Sequence, residues 1–358
     1  MAFVDRLRHW WRGHPAATTE TAAAPAGRTR GVVDHIIVLD GTFSSLDPGQ
    51  ETNIGLIFKL LTEGGQRAQR NVYYEPGLQW EGWRHGWSII QGHGFNLLIR
   101  RAYGWLASHY RPGDRIFLFG YSRGAYAVRS LAGMIDRVGL LKREHATERA
   151  VTLTYRHYQT DPNSPSCRAF AQRYCHDEAP IEMVGVFDTV KSLGIKWPLF
   201  WLLFKDKTDF HNHHLGSSIR HGFQALALNE TRNAFAPILW ECPPGWEGNI
   251  EQTWFRGAHG DVGGQIGSLT EARGLSNIPL IWMLERAQTV GLELPNGWRD
   301  RFPTDVNAPM VGTFRSWGKW FLIRRRRRKM RDISERLHPS IAGVAKPRGW
   351  FPMFERQI

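Results

Sequence analysis

Four short polar clusters in this 358-residue chain carry side chains able to do chemistry together. Asp40-Gly41-Thr42 follows the apolar run HIIVL, and Gly120-Tyr121-Ser122-Arg123-Gly124 follows IFLF. Asp188-Thr189 follows EMVGVF, and the loop GAHGDVGG at residues 257–264 holds His259 and Asp261. A serine hydroxyl is a weak nucleophile until a base takes its proton, and the base needs an acid to orient it. Ser122, His259 and Asp188 are residues of those three types. Glycines on both sides of Ser122 allow a sharp turn that stands the hydroxyl at the head of a helix. There the N–H of Arg123 and the positive end of the helix dipole face a developing oxyanion. A second oxyanion donor is expected from the N–H of Gly41 or Thr42. Other readings stay open at this level. Ser122 can be a helix N-cap, Asp188 a turn cap, and Asp40 the acceptor for the N–H groups of its own turn. Asp261, in the histidine's own loop, rivals Asp188 as the acid.

The surrounding pattern indicates how these clusters are positioned. Strands are predicted at residues 35–39, 71–74, 115–120, 182–187, 238–240 and 250–255. Helices are predicted at 52–61, 96–110, 125–138 and 217–233, with a polar helical region over 144–174 and at least one helix within 273–290. Strands alternating with helices imply the α/β class, a mainly parallel sheet flanked by helices. Ligands of such sheets bind beyond the carboxyl ends of the strands. All four clusters fall at such ends, so residues far apart in sequence converge on one edge. The chain order of serine, acid and histidine is that of the α/β-hydrolase fold.

Composition bounds the partners. Lys and Arg number 46 against 33 Asp and Glu, a net charge of +13 that favours an anionic partner. Three cysteines, Cys167, Cys175 and Cys242, form no disulfide framework and read as reduced thiols. No run is long enough to span a membrane. The first residues, MAFVDRLRHWWRGHP, place apolar side chains at helical spacing among arginines and lack a secretory signal. Residues 15–29 read as a flexible linker. The organisation expected is a basic amphipathic arm and linker over 1–29, a catalytic domain over 30–300 and a basic segment over 301–358. Within that last segment WFLI at 320–323 precedes RRRRRK at 324–329, a pattern suited to anionic lipid headgroups. The same block is able to grip nucleic acid, but no nucleic-acid-binding motif accompanies it. It also fits a solvated tail. WPLFWLLF at 197–204 suits a lid, an acyl-chain wall or plain core. His211, His213, His214 and His221 cluster without a supporting carboxylate or cysteine, so neither a metal nor a cofactor is expected.

Five segments carry a family resemblance: VLDGTF with TNIGLIFKLL, YRPGDRIFLFGYSRGAYAVRSLAGMI, VGVFDTVKSLG, the expected helix ALALNETRNAFAP, and WFRGAHGDVGG. Over roughly residues 34–290 the chain resembles the bacterial α/β-hydrolase family that contains the catalytic domains of type VI secretion phospholipase effectors. The resemblance implies a Ser-Asp-His esterase or lipase with Ser122, Asp188 and His259 as its triad. Two residues depart from the family pattern: Tyr121 stands where phenylalanine is common, and Gln265-Ile266 follows the glycines where a third glycine and an aromatic are usual. The expected substrate is a lipid or phospholipid ester. The alternatives are a small-ester carboxylesterase and a non-catalytic scaffold holding an anionic polymer. Nucleic acid is not expected as the partner. Peripheral contact with an anionic membrane, and a cytoplasmic or membrane-face location with signal-free export open, complete the expectation.

Overall fold

The computed structural model describes residues 17–19, 30–63, 69–77, 93–190, 215–242, 249–314, 321 and 323–342. The amphipathic arm, the 197–204 run, Trp320, Leu322 and His211, His213 and His214 lie outside those residues.

Among the described residues eight strands form one sheet: β1 (Ala17–Thr19), β2 (Asp34–Leu39), β3 (Arg70–Glu75), β4 (Arg115–Tyr121), β5 (Ile181–Phe187), β6 (Ile219–Ala227), β7 (Asn249–Phe255) and β8 (Glu335–Leu337). Their spatial order is β1-β3-β2-β4-β5-β6-β7-β8. Only β1 runs antiparallel, paired with β3 at one edge, and the seven others are parallel. Helices α1 (Asn53–Thr62), α2 (His93–His109), α3 (Arg123–Val138), α4 (Glu148–Thr160), α5 (Pro165–Tyr174), α6 (His259–Gly263) and α7 (Arg273–Thr289) complete the α/β arrangement.

The central strands read as unbroken apolar runs because both sheet faces are covered. Ile37, Leu39, Ile116 and Leu118 pack towards Tyr103 and Leu106 of α2 and Val128 and Leu131 of α3. Ile36, Val38, Phe117 and Phe119 pack on the other face towards Ile54 and Ile57 of α1 and Leu280 and Met283 of α7. Adjacent residues on one strand thus enter different cores, as the period of two requires. No helix among the described residues is long and apolar enough to cross a membrane.

Four sequence expectations change. Residues 217–233 were expected as a helix, but 219–227 form β6, a central strand. Six consecutive buried residues from Gly222 to Ala227 carry no alternation, so local periodicity does not separate strand from helix there. The ALALNETRNAFAP segment is correspondingly the end of β6 followed by a loop and a 3-10 turn at Asn233–Phe235. Residues 238–240 are no strand. Instead the buried Gln252 amide binds both main-chain groups of Trp240, accepting from its N–H at 2.8 Å and donating to its carbonyl at 2.9 Å. Third, Ala17–Thr19, expected within a linker, pair with β3. Finally, part of the expected basic segment over 301–358 joins the sheet. β8 adds to β7, and buried Glu335 accepts from Trp254 Nε1 at 2.7 Å.

Candidate active site

Ser122 occupies the turn between β4 and α3 with φ +56° and ψ −116°, a backbone state that L side chains avoid. Such strain costs on the order of 1–3 kcal/mol and persists only where its surroundings enforce it. Here the Ser122 N–H donates to Phe187 O at 3.0 Å, and its carbonyl accepts from Tyr126 N at 3.2 Å. The turn also brings α3 against β2. A Cβ on Gly124 would stand 2.2 Å from Leu39 O and 2.6 Å from Asp40 O, so only glycine fits. The N-cap reading of the serine does not hold, because its side chain makes no capping bond. Instead Ser122 Oγ lies 2.8 Å from His259 Nε2.

His259 begins α6, just beyond β7. Its Nδ1 lies 2.6 Å from Asp188 Oδ2. Asp188 follows β5 in a left-handed conformation, φ +43°, with its N–H donating to Ala225 O at 2.7 Å. All three residues are buried. The ends of β4, β5 and β7, on one edge of the sheet, thus bring together side chains separated by 66 to 137 positions in an unbroken chain of two hydrogen bonds. Burial pushes the Asp188 carboxyl up, but the charge of Arg327 and hydrogen bonds from His259 and Arg327 outweigh it and hold the group below the usual carboxylate range.

Asp261 does not meet the imidazole. Its carboxylate accepts from three backbone N–H groups: Ala258 at 2.8 Å, Val311 at 2.6 Å and Gly312 at 3.3 Å. It caps α6 and ties residues 311–312 beside it. The acid facing His259 is Asp188.

The Gly41 N–H, one of the expected oxyanion donors, is already committed. It donates to Asp40 Oδ1 at 2.6 Å, so Asp40 is the acceptor for its own turn. Thr52 Oγ1 also donates to Asp40, at 2.8 Å, and Tyr74 OH does so at 3.0 Å. Thr52 in turn caps α1 by accepting from Gly55 N at 3.0 Å. Asp40 therefore pins the loop that carries Thr42 to the start of α1. Burial drives its carboxyl up to about 6 against the pull of those hydrogen bonds. The N–H groups of Thr42 and Arg123 show no hydrogen bond among the described residues.

The two departures from the family pattern meet here. Tyr121 OH donates to His259 O at 3.3 Å and to Gln265 Oε1 at 3.4 Å. Gln265 Nε2 donates to Thr42 O at 2.8 Å. The extra hydroxyl and the extra amide thus link the histidine helix to the Thr42 loop.

Two further residues, not singled out by sequence reasoning, belong to the site. Glu230 Oε2 accepts the His259 N–H at 3.1 Å while Arg232 pairs with the same carboxylate at 2.6 Å. Arg327 forks onto both oxygens of Asp188. Nothing in the sequence separates Arg327 from its neighbours in RRRRRK. Glu230 lies within ALALNETRNAFAP, one of the segments that carry the resemblance, but its place after a strand end is hidden by the helix expectation. His221, from the histidine cluster, lies in β6 with Nδ1 2.9 Å from Glu182 O. Among the described residues no group of three or more His, Cys, Asp or Glu is arranged to hold a metal.

A search of curated proteins finds the uncharacterized protein YEL023C of Saccharomyces cerevisiae, 31% identical over 235 residues, covering 58% of this chain and 33% of that protein. This chain therefore spans a third of that relative. Among solved structures, the Tle1 effector bound to the VgrG spike of the type 6 secretion system matches 72% of this chain and 58% of its own, at 19% identity and TM-score 0.39. An uncharacterized Pseudomonas aeruginosa protein matches at 15% identity and TM-score 0.41, covering 76% of this chain and 49% of that one. The carboxylesterase Cest-2923 of Lactobacillus plantarum matches at 14% identity and TM-score 0.39, covering 79% and 96%. The family model for the type VI secretion system phospholipase effector Tle1-like catalytic domain matches residues 34–286, from the first residue of β2 into α7 and across every cluster at the sheet's carboxyl edge, and the chain belongs to that family.

Proposed function

We propose that this protein is a serine hydrolase of carboxylic esters, acting on lipid or phospholipid acyl groups. The observation that carries the reading is the buried chain from Ser122 Oγ to His259 Nε2 and from His259 Nδ1 to Asp188. In the proposed reaction His259 takes the Ser122 proton as the hydroxyl oxygen attacks the ester carbonyl. The Thr42 and Arg123 N–H groups receive the oxyanion. Collapse expels the alcohol, to which His259 returns the proton, and leaves an acyl-serine. Water activated by His259 then releases the acid. Asp188 holds the imidazole throughout. The reaction requires neither metal nor cofactor.

Family membership supports the lipid substrate. So does the surface between residues 310 and 337. Among the described residues there, Phe314, Ile323, Met330 and Ile333 are exposed, and Arg325, Arg328, Lys329 and Arg331, interspersed with the last three in sequence, are exposed too. Apolar side chains next to cations suit the headgroup region of an anionic bilayer. On this reading the protein works at a membrane face.

The test is labelling of the purified protein with a fluorophosphonate, which reacts only with an activated serine. Labelling abolished in Ser122→Ala and His259→Ala is expected, followed by faster turnover of anionic phospholipid vesicles than of a short monomeric ester. Folded wild type that never labels, with vesicles present or absent, refutes the hydrolase. Turnover confined to short monomeric esters replaces the lipid reading by a small-ester carboxylesterase.

A further inference from the structure

The arginine run 324–329 looks uniform in sequence, and the fold divides it. Arg325, Arg326, Arg328 and Lys329 are exposed. Arg324 lies over the Phe314 ring at 3.7 Å and donates to Thr313 Oγ1 at 2.9 Å. Arg327 alone turns into the site, with its side chain 4% exposed. Its Nη1 donates to Asp188 Oδ1 at 2.5 Å and to Ala227 O at 2.9 Å. Its Nη2 donates to Asp188 Oδ2 at 2.8 Å and to Phe235 O at 2.5 Å. The guanidinium therefore holds the carboxylate as a fork and is itself fastened to two backbone carbonyls of other segments. The turn beyond it is set by Glu335, which accepts from the N–H groups of Met330, Arg331 and Asp332.

Resting on the triad reading above, we propose that Arg327 is a positioning residue: it clamps Asp188 against His259 and, by sharing the carboxylate's charge, extends Ser122 reactivity to lower pH. The charges around the imidazole favour this. Asp188 faces it from the end of β5 and carries Arg327. Glu230 faces its backbone from beyond β6 and carries Arg232, whose guanidinium lies 4.0 Å from the Phe235 ring. That ring is in turn 4.8 Å from the imidazole. Tyr121 packs on the imidazole from β4 at 4.9 Å, and Asp261, on the histidine's own helix, is engaged by backbone N–H groups. Each carboxylate that touches His259 is thus balanced by its own arginine. Removing Arg327 takes away the cation that balances Asp188 and leaves the carboxylate to the imidazole and the Ala227 N–H, which donates to Oδ1 at 3.0 Å. An anion no longer balanced favours the protonated ring, which cannot act as a base. The same contact explains why a C-terminal segment is needed at a site formed otherwise by residues 40–261.

The experiment measures the rate of fluorophosphonate labelling from pH 5 to 9 in wild type, Ser122→Ala, Arg327→Gln and Arg327→Lys, with folding checked by near-UV circular dichroism. Labelling of wild type and its loss in Ser122→Ala tests the triad reading by itself. Absence of wild-type labelling ends both proposals. With that control met, Arg327→Gln keeps a hydrogen-bonding side chain but loses the charge. Its acid limb is expected to move up by about one pH unit, with the plateau rate reduced about tenfold. Arg327→Lys restores the charge without the fork, so its midpoint returns to wild type while its plateau stays reduced. A midpoint unchanged in Arg327→Gln overturns the inference and leaves Arg327 a structural pin. If the glutamine variant does not fold, the lysine variant decides. A wild-type midpoint with a lowered plateau supports the proposal, and a displaced midpoint or an undiminished plateau overturns it.

Discussion

Asp40 is the group through which the site's architecture should be visible in an unfolding experiment. Its carboxyl is fully buried, so water no longer stabilises the anion. Four groups, Gly41 N–H, Thr52 Oγ1, Tyr74 OH and the Ser44 side chain, compensate only in part, and the pKa rises from 3.8 to about 6. A rise of that size corresponds to about 3 kcal/mol of stability linked to protonation. The folded state binds a proton that the unfolded state has lost between these two values. The stabilisation is therefore complete below pH 3.8, declines as pH rises through about 6, and is absent above it. Asp40→Asn is neutral throughout and retains an acceptor oxygen for Gly41 and Thr52. The difference in unfolding free energy between variant and wild type should shift in the variant's favour by about 2.5 kcal/mol from pH 4 to pH 7. Urea unfolding of both proteins at five pH values across that range measures it, and every other titrating group cancels in the difference. A flat difference, or one that favours wild type more as pH rises, would refute the claim that the fold holds this carboxylate at a cost. The stabilised variant is expected to hydrolyse more slowly, because the amide holds the Thr42 loop with weaker, uncharged hydrogen bonds.

Two other substitutions separate chemistry from architecture. Asp188→Asn should reduce the labelling rate of Ser122 by about 10⁴-fold. Asp261→Asn should retain labelling within about tenfold and lose about 1–2 kcal/mol of stability, since its partners are backbone N–H groups. Equal loss of labelling in both would contradict the assignment of the acid. Gly124→Ala places a methyl group 2.2 Å from a backbone oxygen, so destabilisation of at least about 2 kcal/mol is expected in thermal melts. An unchanged melting temperature would mean that α3 and β2 do not approach as described.

Much of the site was legible because its geometry is local. A glycine-flanked serine between a strand and a helix specifies the turn by sterics alone, and Gly124 shows why no larger residue serves. The apolar runs 35–39, 115–120 and 182–187 needed no tertiary information, since strands buried on both faces are continuously hydrophobic. The α/β class follows from their alternation with helices. Asp188 and His259 were recognisable as residues at strand ends. β6 was misread for the reason that made its neighbours easy: with both faces buried, residues 222–227 lack the period that distinguishes strand from helix. The choice between the Gly41 and Thr42 N–H groups stays open in the sequence because an aspartate's choice between its own turn and a neighbour depends on where Thr52 and Tyr74 come to lie.

The sequence by itself determined the class of fold, the turn at Ser122 and the convergence of the four clusters on one sheet edge. Sterics and hydrophobic period act over a few residues and leave a local trace. Tertiary structure alone decided which aspartate meets the histidine, which of the five arginines at 324–328 enters the core, and that residues 335–337 join the sheet. Those are choices among chemically identical groups. They depend on the register of distant segments, on β8 closing against β7 and on residue 327 facing inward between exposed neighbours, and no local spacing records them.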